Sequence, residues 1–374
     1  MKPNYNRSII NIVSSIMASE GSKSIYPPLK ELSPQELKKN PTICLIIIDG
    51  LAYYYLKKQK NSFLRKHIRA KLTSVFPSTT ACAMTAIYTG VPPQQHGLTG
   101  WFMYFKELGA VALPLPYVYR SGPPLRIHPQ FLYSVPGIYA KMRKKPISIL
   151  PAKVVGSPYN WFHMRKAHVY SYRTMNEFIK RIAHTTKKPG KKIVTAYWPS
   201  VDSLSHDHGI GSKKVEKHFR ELDEKLRKLI TKSKDVVFII SADHGMIDLG
   251  KKENLWLDKF PKFAECFAQP LSMDPRVVAC YINSDKEKQF KEEAKKLKRY
   301  FRLAKPETLI KQGYFGRGKV NPNLKDRLGD YILLMNKNYV LLDQMPGEKR
   351  HGYKGIHAGD SKEEMEVPLV VIKT

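Results

Sequence analysis

The run Ile43 to Ile48 is short, wholly apolar and rich in β-branched residues, and similar runs recur at Ile147 to Leu150, Ile193 to Tyr197, Val236 to Ile240 and Val367 to Ile372. Segments of that length and make-up read as strands buried on both faces, as in a parallel sheet. Helix-like stretches lie between several of them, for example Met175 to Ala183 and Val215 to Leu229. Strands alternating with helices predict a doubly wound α/β fold, a mostly parallel sheet with helices on both faces.

Two regions break the rhythm. Residues 101 to 140 carry many Pro, Gly and Tyr residues and read as an irregular insertion. Residues 250 to 350 hold a Lys- and Glu-rich helix from Lys286 to Tyr300, Gly-rich turns at Gly316 and Gly318, and an expected strand pair between Arg327 and Leu342. That region is expected to be a small α+β insertion. With 374 residues, one large domain with insertions and two domains both fit; the reading adopted is one catalytic domain over 1 to 374 with an insertion at 250 to 350. Near the start, Ile9, Ile12, Val13 and Ile16 share one helical face while Asn11, Ser14 and Ser15 interrupt the apolar run. An amphipathic helix packed on the domain is expected there, not a signal peptide. No stretch is long and apolar enough to span a bilayer.

Lys and Arg outnumber Asp and Glu by 64 to 32, a formal net charge of +32. Such a field draws anions, so phosphorylated small molecules, nucleic acid and anionic membrane surfaces all qualify as partners. The lysines are scattered, and charge alone selects none of these; no specific protein partner is indicated. The four cysteines, Cys44, Cys82, Cys266 and Cys280, contain no C-x-x-C pair. Neither a zinc–cysteine site nor a disulfide framework is suggested, and a reducing, cytoplasmic location is expected.

The residues that carry chemistry cluster just after the strands. Asp49 and Gly50 come directly after the first run, Asp202 and His206 shortly after Ile193 to Tyr197, and Asp243, His244 and Gly245 after Val236 to Ile240. Ligands in open α/β sheets bind at the carboxyl ends of the strands, so three strands deliver acids and imidazoles to one edge. Carboxylates gathered without counter-charge resist ionising, and a divalent cation removes that conflict. Mixed Asp and His ligands suit Zn²⁺ and related transition metals better than Mg²⁺ or Ca²⁺. His357, in a Gly-flanked turn before the last strand, can add another imidazole. A single Asp after a strand is commonly a turn or cap residue; the weight rests on the joint occurrence. Phe76-Pro77-Ser78-Thr79-Thr80 leads into the small-residue segment Ala81 to Ala86, as a loop entering a helix whose N-terminus favours phosphate. One hydroxyl there, beside metal, can attack phosphorus.

Taken in order, the segments Ile46 to Gly50, Phe76 to Thr80, Tyr88-Thr89-Gly90, His96-Gly97, Asp202 to His206, Ser241 to Met246, and His357 ahead of Glu363 to Leu369 resemble the type I phosphodiesterase/nucleotide pyrophosphatase family of the alkaline phosphatase superfamily. The resemblance implies an alkaline-phosphatase-like fold and two divalent ions, zinc with manganese the alternative. Asp49, Thr80, Asp243 and His244 would hold one ion, and Asp202, His206 and His357 the other. Thr80 aligns with the family nucleophile, with Thr79 as the neighbour should the register slip by one. The implied reaction is in-line attack by Thr80 on a phosphodiester or pyrophosphate of a small molecule, nucleotides included, giving a phosphothreonine that water hydrolyses. Family members with nucleotide activity place an Asn shortly after the His-Gly turn; here Gly100-Trp101 stands in its place. A phosphomonoesterase, phosphonate hydrolase or mutase of the same superfamily is the near alternative. A polyanion-binding protein with a structural metal site is the alternative of another class.

Overall fold

The computed structural model describes residues 1–374. In chain order the principal strands are β1 (Thr42–Ile48), β2 (Ile68–Thr73), β3 (Lys145–Pro151), β4 (His168–Tyr172), β5 (Lys192–Trp198), β6 (Val236–Ser241), β7 (Ser272–Asp274), β8 (Val277–Cys280), β9 (Phe301–Ala304), β10 (Tyr331–Met335) and β11 (Glu366–Lys373). The principal helices are α1 (Ile9–Ser19), α2 (Thr80–Thr89), α3 (Pro158–His163), α4 (Met175–Lys187), α5 (Ser200–His208), α6 (Lys213–Thr231) and α7 (Glu287–Lys296).

Seven strands form the main sheet in the order β2-β11-β6-β1-β5-β3-β4. β1 is central because every one of its residues is buried, and it runs parallel to both β5 and β6. β3 runs parallel to β5 and to β4. The five apolar runs all became strands of this sheet. The last is antiparallel to both β2 and β6, which corrects the expectation that it joins a parallel ladder. An apolar run reports two buried faces and carries no information on direction.

Helices cover both faces, and their amphipathy explains how. On α6, Val215, Phe219, Leu222, Leu226 and Leu229 are buried along one stripe, and the Ser212 side chain caps its start by accepting from Val215 N–H. Thr174 caps α4 in the same way through Glu177 N–H, and Phe178 and Ile182 anchor its inner face. α1 buries Ile9, Ile12, Val13 and Ile16 against the core, the amphipathic packing expected of it.

The region after residue 250 forms a second, four-stranded sheet in the order β7-β8-β10-β9, with α7 packed beside it over Phe263, Phe290 and Phe301. The expected strand pair between Arg327 and Leu342 does not form. β10 joins the four-stranded sheet, while Val340–Leu342 pairs in parallel with Asn254–Trp256. The Lys/Glu-rich helix is shorter than expected, because Phe301 turns inward and begins β9. Residues 101 to 140 are less irregular than expected. They include a small antiparallel sheet of Met103–Phe105, Ala110–Leu113 and Val118–Tyr119. All four cysteines are buried free thiols. No helix is long and apolar enough to cross a membrane.

Candidate active site

The carboxyl ends of β1, β5 and β6 point to the same edge of the sheet, and each is followed within a few residues by an ionisable side chain. Asp49 extends β1 by one residue, its N–H donating to Trp198 O at 2.9 Å. Gly50 then turns the chain with φ of 71°, a value that favours glycine. A Cβ at Gly50 would lie 3.1 Å from the Asp202 backbone, so its absence lets α5 approach β1 closely. Asp202 and His206 occupy successive turns of α5, facing the same way. Asp243 and His244 leave β6 in a tight loop completed by Gly245, where a Cβ would meet Glu363 O at 2.0 Å. His357 sits before Ala358, which holds φ of 94° and so turns the loop back towards Ser78.

These side chains converge on one buried cluster. His244 Nε2 lies 3.2 Å from Asp49 Oδ1 and 3.4 Å from Asp243 Oδ2. His357 Nε2 lies 3.6 Å from Asp202 Oδ1, and His206 Nε2 lies 3.3 Å from Asp202 Oδ2. The His244 and His357 rings stack at 3.7 Å between centroids. The ligand-type atoms form two groups, Asp49, Asp243 and His244, and Asp202, His244 and His357, each within 4.8 Å. His244 belongs to both. His206 joins the second group through Asp202.

Each imidazole is oriented from behind. The Nδ1 atoms of His206, His244 and His357 lie 2.9, 3.0 and 3.1 Å from the backbone oxygens of Gly355, Gly245 and Ser78. A carbonyl only accepts, so Nδ1 carries a proton in each ring and Nε2 is left as the ligand atom that faces the cluster. The carboxylates show the same division. Asp243 Oδ1 accepts from His244 N–H at 3.0 Å and from Gly50 N–H at 3.3 Å, and Asp49 Oδ2 accepts from the Tyr197 hydroxyl. In contrast Asp49 Oδ1, Asp202 Oδ1 and Asp243 Oδ2 are buried without any hydrogen bond. Three bare oxygens facing imidazole Nε2 atoms form an unstable set unless a positive charge lies among them. The donor set therefore fits divalent cations.

Electrostatics point the same way. Burial, together with the neighbouring Asp202 charge, pushes the Asp49 carboxyl well above the usual carboxylate range. Burial and the charge of Asp49 do the same to Asp243. Burial also opposes ionisation of Asp202, but His206 and His357 outweigh it and hold that carboxyl low. Burial pushes His206 down, yet its contact with Asp202 raises it to about 9. Burial and the adjacent His244 drive His357 well below the ordinary imidazole value.

Thr80 is the first residue of α2, buried, with Oγ1 3.1 Å from His244 Nε2. Thr79 points elsewhere, its hydroxyl donating to Asp274 Oδ1 at 3.1 Å. The geometry thus separates the two threonines: only Thr80 faces the cluster. Trp101 is half-buried, and its backbone N–H donates to Asp274 Oδ2 at 3.1 Å. Burial raises Asp274 to about 7 against the pull of these two donors. Beside the cluster opens a cavity of about 290 Å³ lined among others by Phe102, Arg120, Trp256, Asp274, His351 and Tyr353. The Tyr353 ring lies 5.2 Å from that of His206, which joins the cavity to the cluster.

All seven residues singled out in the sequence, Asp49, Thr80, Asp202, His206, Asp243, His244 and His357, lie together at this edge. Sequence reasoning missed Tyr197, Asp274 and a buried pair, Arg276 and Glu364. Tyr197 carries a faint signal, a hydroxyl-bearing residue closing an otherwise buried run. Asp274 carries none. Arg276 reaches from the β7–β8 turn to Glu364, with Nε to Oε1 at 2.9 Å and Nη2 to Oε2 at 2.8 Å. Glu364 Oε1 also accepts from Gly359 N–H at 2.8 Å, and its carbonyl accepts from Gly245 N–H at 2.7 Å. The pair therefore ties the second sheet to the loops that carry His244 and His357.

Solved structures share this architecture at low sequence identity. Murine ectonucleotide pyrophosphatase/phosphodiesterase 5 superposes with a TM-score of 0.69 at 16% identity, over 89% of this chain and 88% of that one. An inactive variant of the murine protein, in complex with AMP, gives 0.68 at 16% identity over 87% of each chain. Phosphonoacetate hydrolase from Sinorhizobium meliloti 1021, in complex with phosphonoformate, gives 0.62 at 14% identity over 90% of this chain and 91% of that one. A comparison with curated proteins found no match. The family model of type I phosphodiesterase/nucleotide pyrophosphatase matches residues 43–360, from the first residues of β1 to just past His357. The span takes in every member of the cluster, and the chain belongs to the type I phosphodiesterase/nucleotide pyrophosphatase family.

Proposed function

We propose that the protein is a two-metal phosphohydrolase that cleaves phosphodiester or pyrophosphate bonds of a small molecule through a phosphothreonine at Thr80. The observation that carries this reading is the triad of bare, buried carboxylate oxygens, each facing an imidazole Nε2 atom, with the Thr80 hydroxyl at 3.1 Å from His244 Nε2. Asp49, Thr80, Asp243 and His244 would hold one ion and Asp202, His206 and His357 the other, zinc being favoured by the mixed oxygen and nitrogen donors. Divalent cations bound there would neutralise the carboxylates and stabilise charge on the transferring phosphoryl group. The work sits in one catalytic domain, with residues 250 to 350 as an insertion.

Thr80 Oγ1 stands at the start of α2, whose first-turn backbone N–H groups and dipole favour a phosphate in line with the hydroxyl. Thr80 Oγ1 gives up its proton to solvent, attack forms the phosphorus–Oγ1 bond as the bond to the leaving oxygen breaks, and the departing group keeps the electron pair. Water then attacks the phosphothreonine, the phosphorus–Oγ1 bond breaks, and Thr80 regains a proton. The cavity beside Tyr353 takes the organic part of the substrate, and Asp274 holds Thr79 and the Trp101 backbone in place at its wall. The neighbours' complexes with AMP and a phosphonate support a small phosphorylated substrate without choosing one.

Metal removal tests the reading. Chelation is expected to abolish hydrolysis of a chromogenic phosphodiester, and added Zn²⁺ or Mn²⁺ to restore it. Zinc loading near neutral pH should release protons, because His206, at about 9, holds a proton that the metal displaces. Zinc affinity therefore rises with pH until His206 has lost its proton. Calorimetric titration in buffers of different ionisation enthalpy reads this directly. Chelator-resistant turnover, or zinc binding without proton release, would reject the proposed centre.

A further inference from the structure

Between residues 121 and 192 the chain carries fifteen Lys and Arg and a single acidic residue, Glu177. All the basic residues except Lys144 and Lys192 are exposed. This segment builds β3, α3, β4 and α4, one whole flank of the sheet. The net charge of the molecule is therefore far from evenly spread. The same flank also carries an apolar feature.

Of seven exposed large apolar side chains in the molecule, three gather where β3 ends: Phe131 is 62% exposed, Trp161 51% and Val154 36%. The turn Pro129–Phe131 packs on α3, and the His128 ring meets Trp161 edge-on at 5.6 Å. Asn160 Nδ2 donates to Val154 O at 2.6 Å, which fixes the β3–α3 loop to the same helix. Arg165 lies 5.4 Å over the Trp161 ring. Lys153 and Lys166 flank the group and are exposed. Because β3 is parallel to β5, this corner lies on the edge of the sheet that also carries Asp49, Asp202 and Asp243.

We propose that this corner docks the protein onto an anionic lipid bilayer, with Phe131 and Trp161 seated among the headgroups and Lys153, Arg165 and Lys166 against lipid phosphates. Protruding aromatic side chains ringed by Lys and Arg suit a membrane interface, where an apolar body is buried and the cations meet anionic lipid. Nucleic acid is the weaker match. Stacking of bases needs free aromatic faces along a groove, whereas Val154 has no such face and Arg165 already lies over Trp161. Docked this way, the protein turns its catalytic edge towards the membrane surface. The inference stands apart from the reaction at Thr80, and its test requires no turnover.

The test is flotation of the full chain with vesicles of phosphatidylcholine containing about 30% phosphatidylserine, against pure phosphatidylcholine and a single-stranded oligonucleotide. Binding is expected to the anionic vesicles and not to the neutral ones. Neutralising Lys153, Arg165 and Lys166 together to Gln should weaken it by about fivefold per charge, roughly a hundredfold in all. Phe131→Ser with Trp161→Ser should weaken vesicle binding and leave oligonucleotide binding unchanged. All these positions are exposed, and circular dichroism melts verify that each variant folds. Brominated lipid should quench tryptophan fluorescence in the parent and not in Trp161→Phe. Equal binding to neutral vesicles, no quenching, or an oligonucleotide affinity that falls as far as vesicle binding when Phe131 and Trp161 are changed would each overturn the proposal.

Discussion

Thr80→Ala is expected to lower turnover of a chromogenic phosphodiester on the order of 10⁴-fold or more, while bound metal stays unchanged. Removing a nucleophile removes the covalent step itself, and what remains is whatever a water held in the same site can do. Metal retention follows from the geometry. Three carboxylates and three imidazoles converge independently of the Thr80 hydroxyl, which stands at the margin of the cluster beside His244. Asp243→Asn supplies the contrast. It changes the ligand oxygen that faces His244 Nε2 at 3.4 Å, and should lower metal content as well as activity. Elemental analysis distinguishes the two variants. Near-normal turnover in Thr80→Ala would shift the nucleophile to Thr79 or to water, and for Thr79 the hydroxyl must first leave Asp274.

Arg276→Ala should destabilise the fold by about 3–5 kcal/mol, because it leaves an uncompensated charge in the interior. Arg276 is 1% exposed and Glu364 is fully buried. Burial alone would push Glu364 up, but Arg276 holds its carboxyl below the ordinary value. The paired change Arg276→Met with Glu364→Leu should recover much of the loss, since apolar substitutes often match a buried ion pair. Denaturant melts of the single and double variants test this. A single variant within about 0.5 kcal/mol of the parent would show that the pair bears little of the load. Activity should fall in the double variant, because Gly359 N–H then loses its Glu364 acceptor and the His357 loop its anchor.

The strands that build the site were legible because burial on both faces leaves a run of apolar residues that little else produces. The two strands of the main sheet that went unread, β2 and β4, are its edges. Ile68 to Thr73 alternates exposed and buried positions, and His168 to Tyr172 buries only Tyr172 fully. Neither has an apolar run to see. The acids and imidazoles were legible for a related reason: parallel strands must all deliver their following residues to one edge. What could not be read depends on partners distant in the chain. Asp274 matters through Thr79 and Trp101, and Arg276 through Glu364. Nothing local marks either one. The strands of 101 to 140 are only two to four residues long, too short to show a period.

The position of β11 has a consequence for how the molecule is made. β2 has β11 as its only strand neighbour, and β11 also separates it from β6. At a translation rate of about 5–20 residues per second, Ile68 to Thr73 emerges from the ribosome tens of seconds before residues 366–373 can receive it. His357 arrives in the same late interval. The nascent chain must keep two strand edges shielded until residues 366–373 have been made, and the catalytic pocket can close only after His357 has emerged.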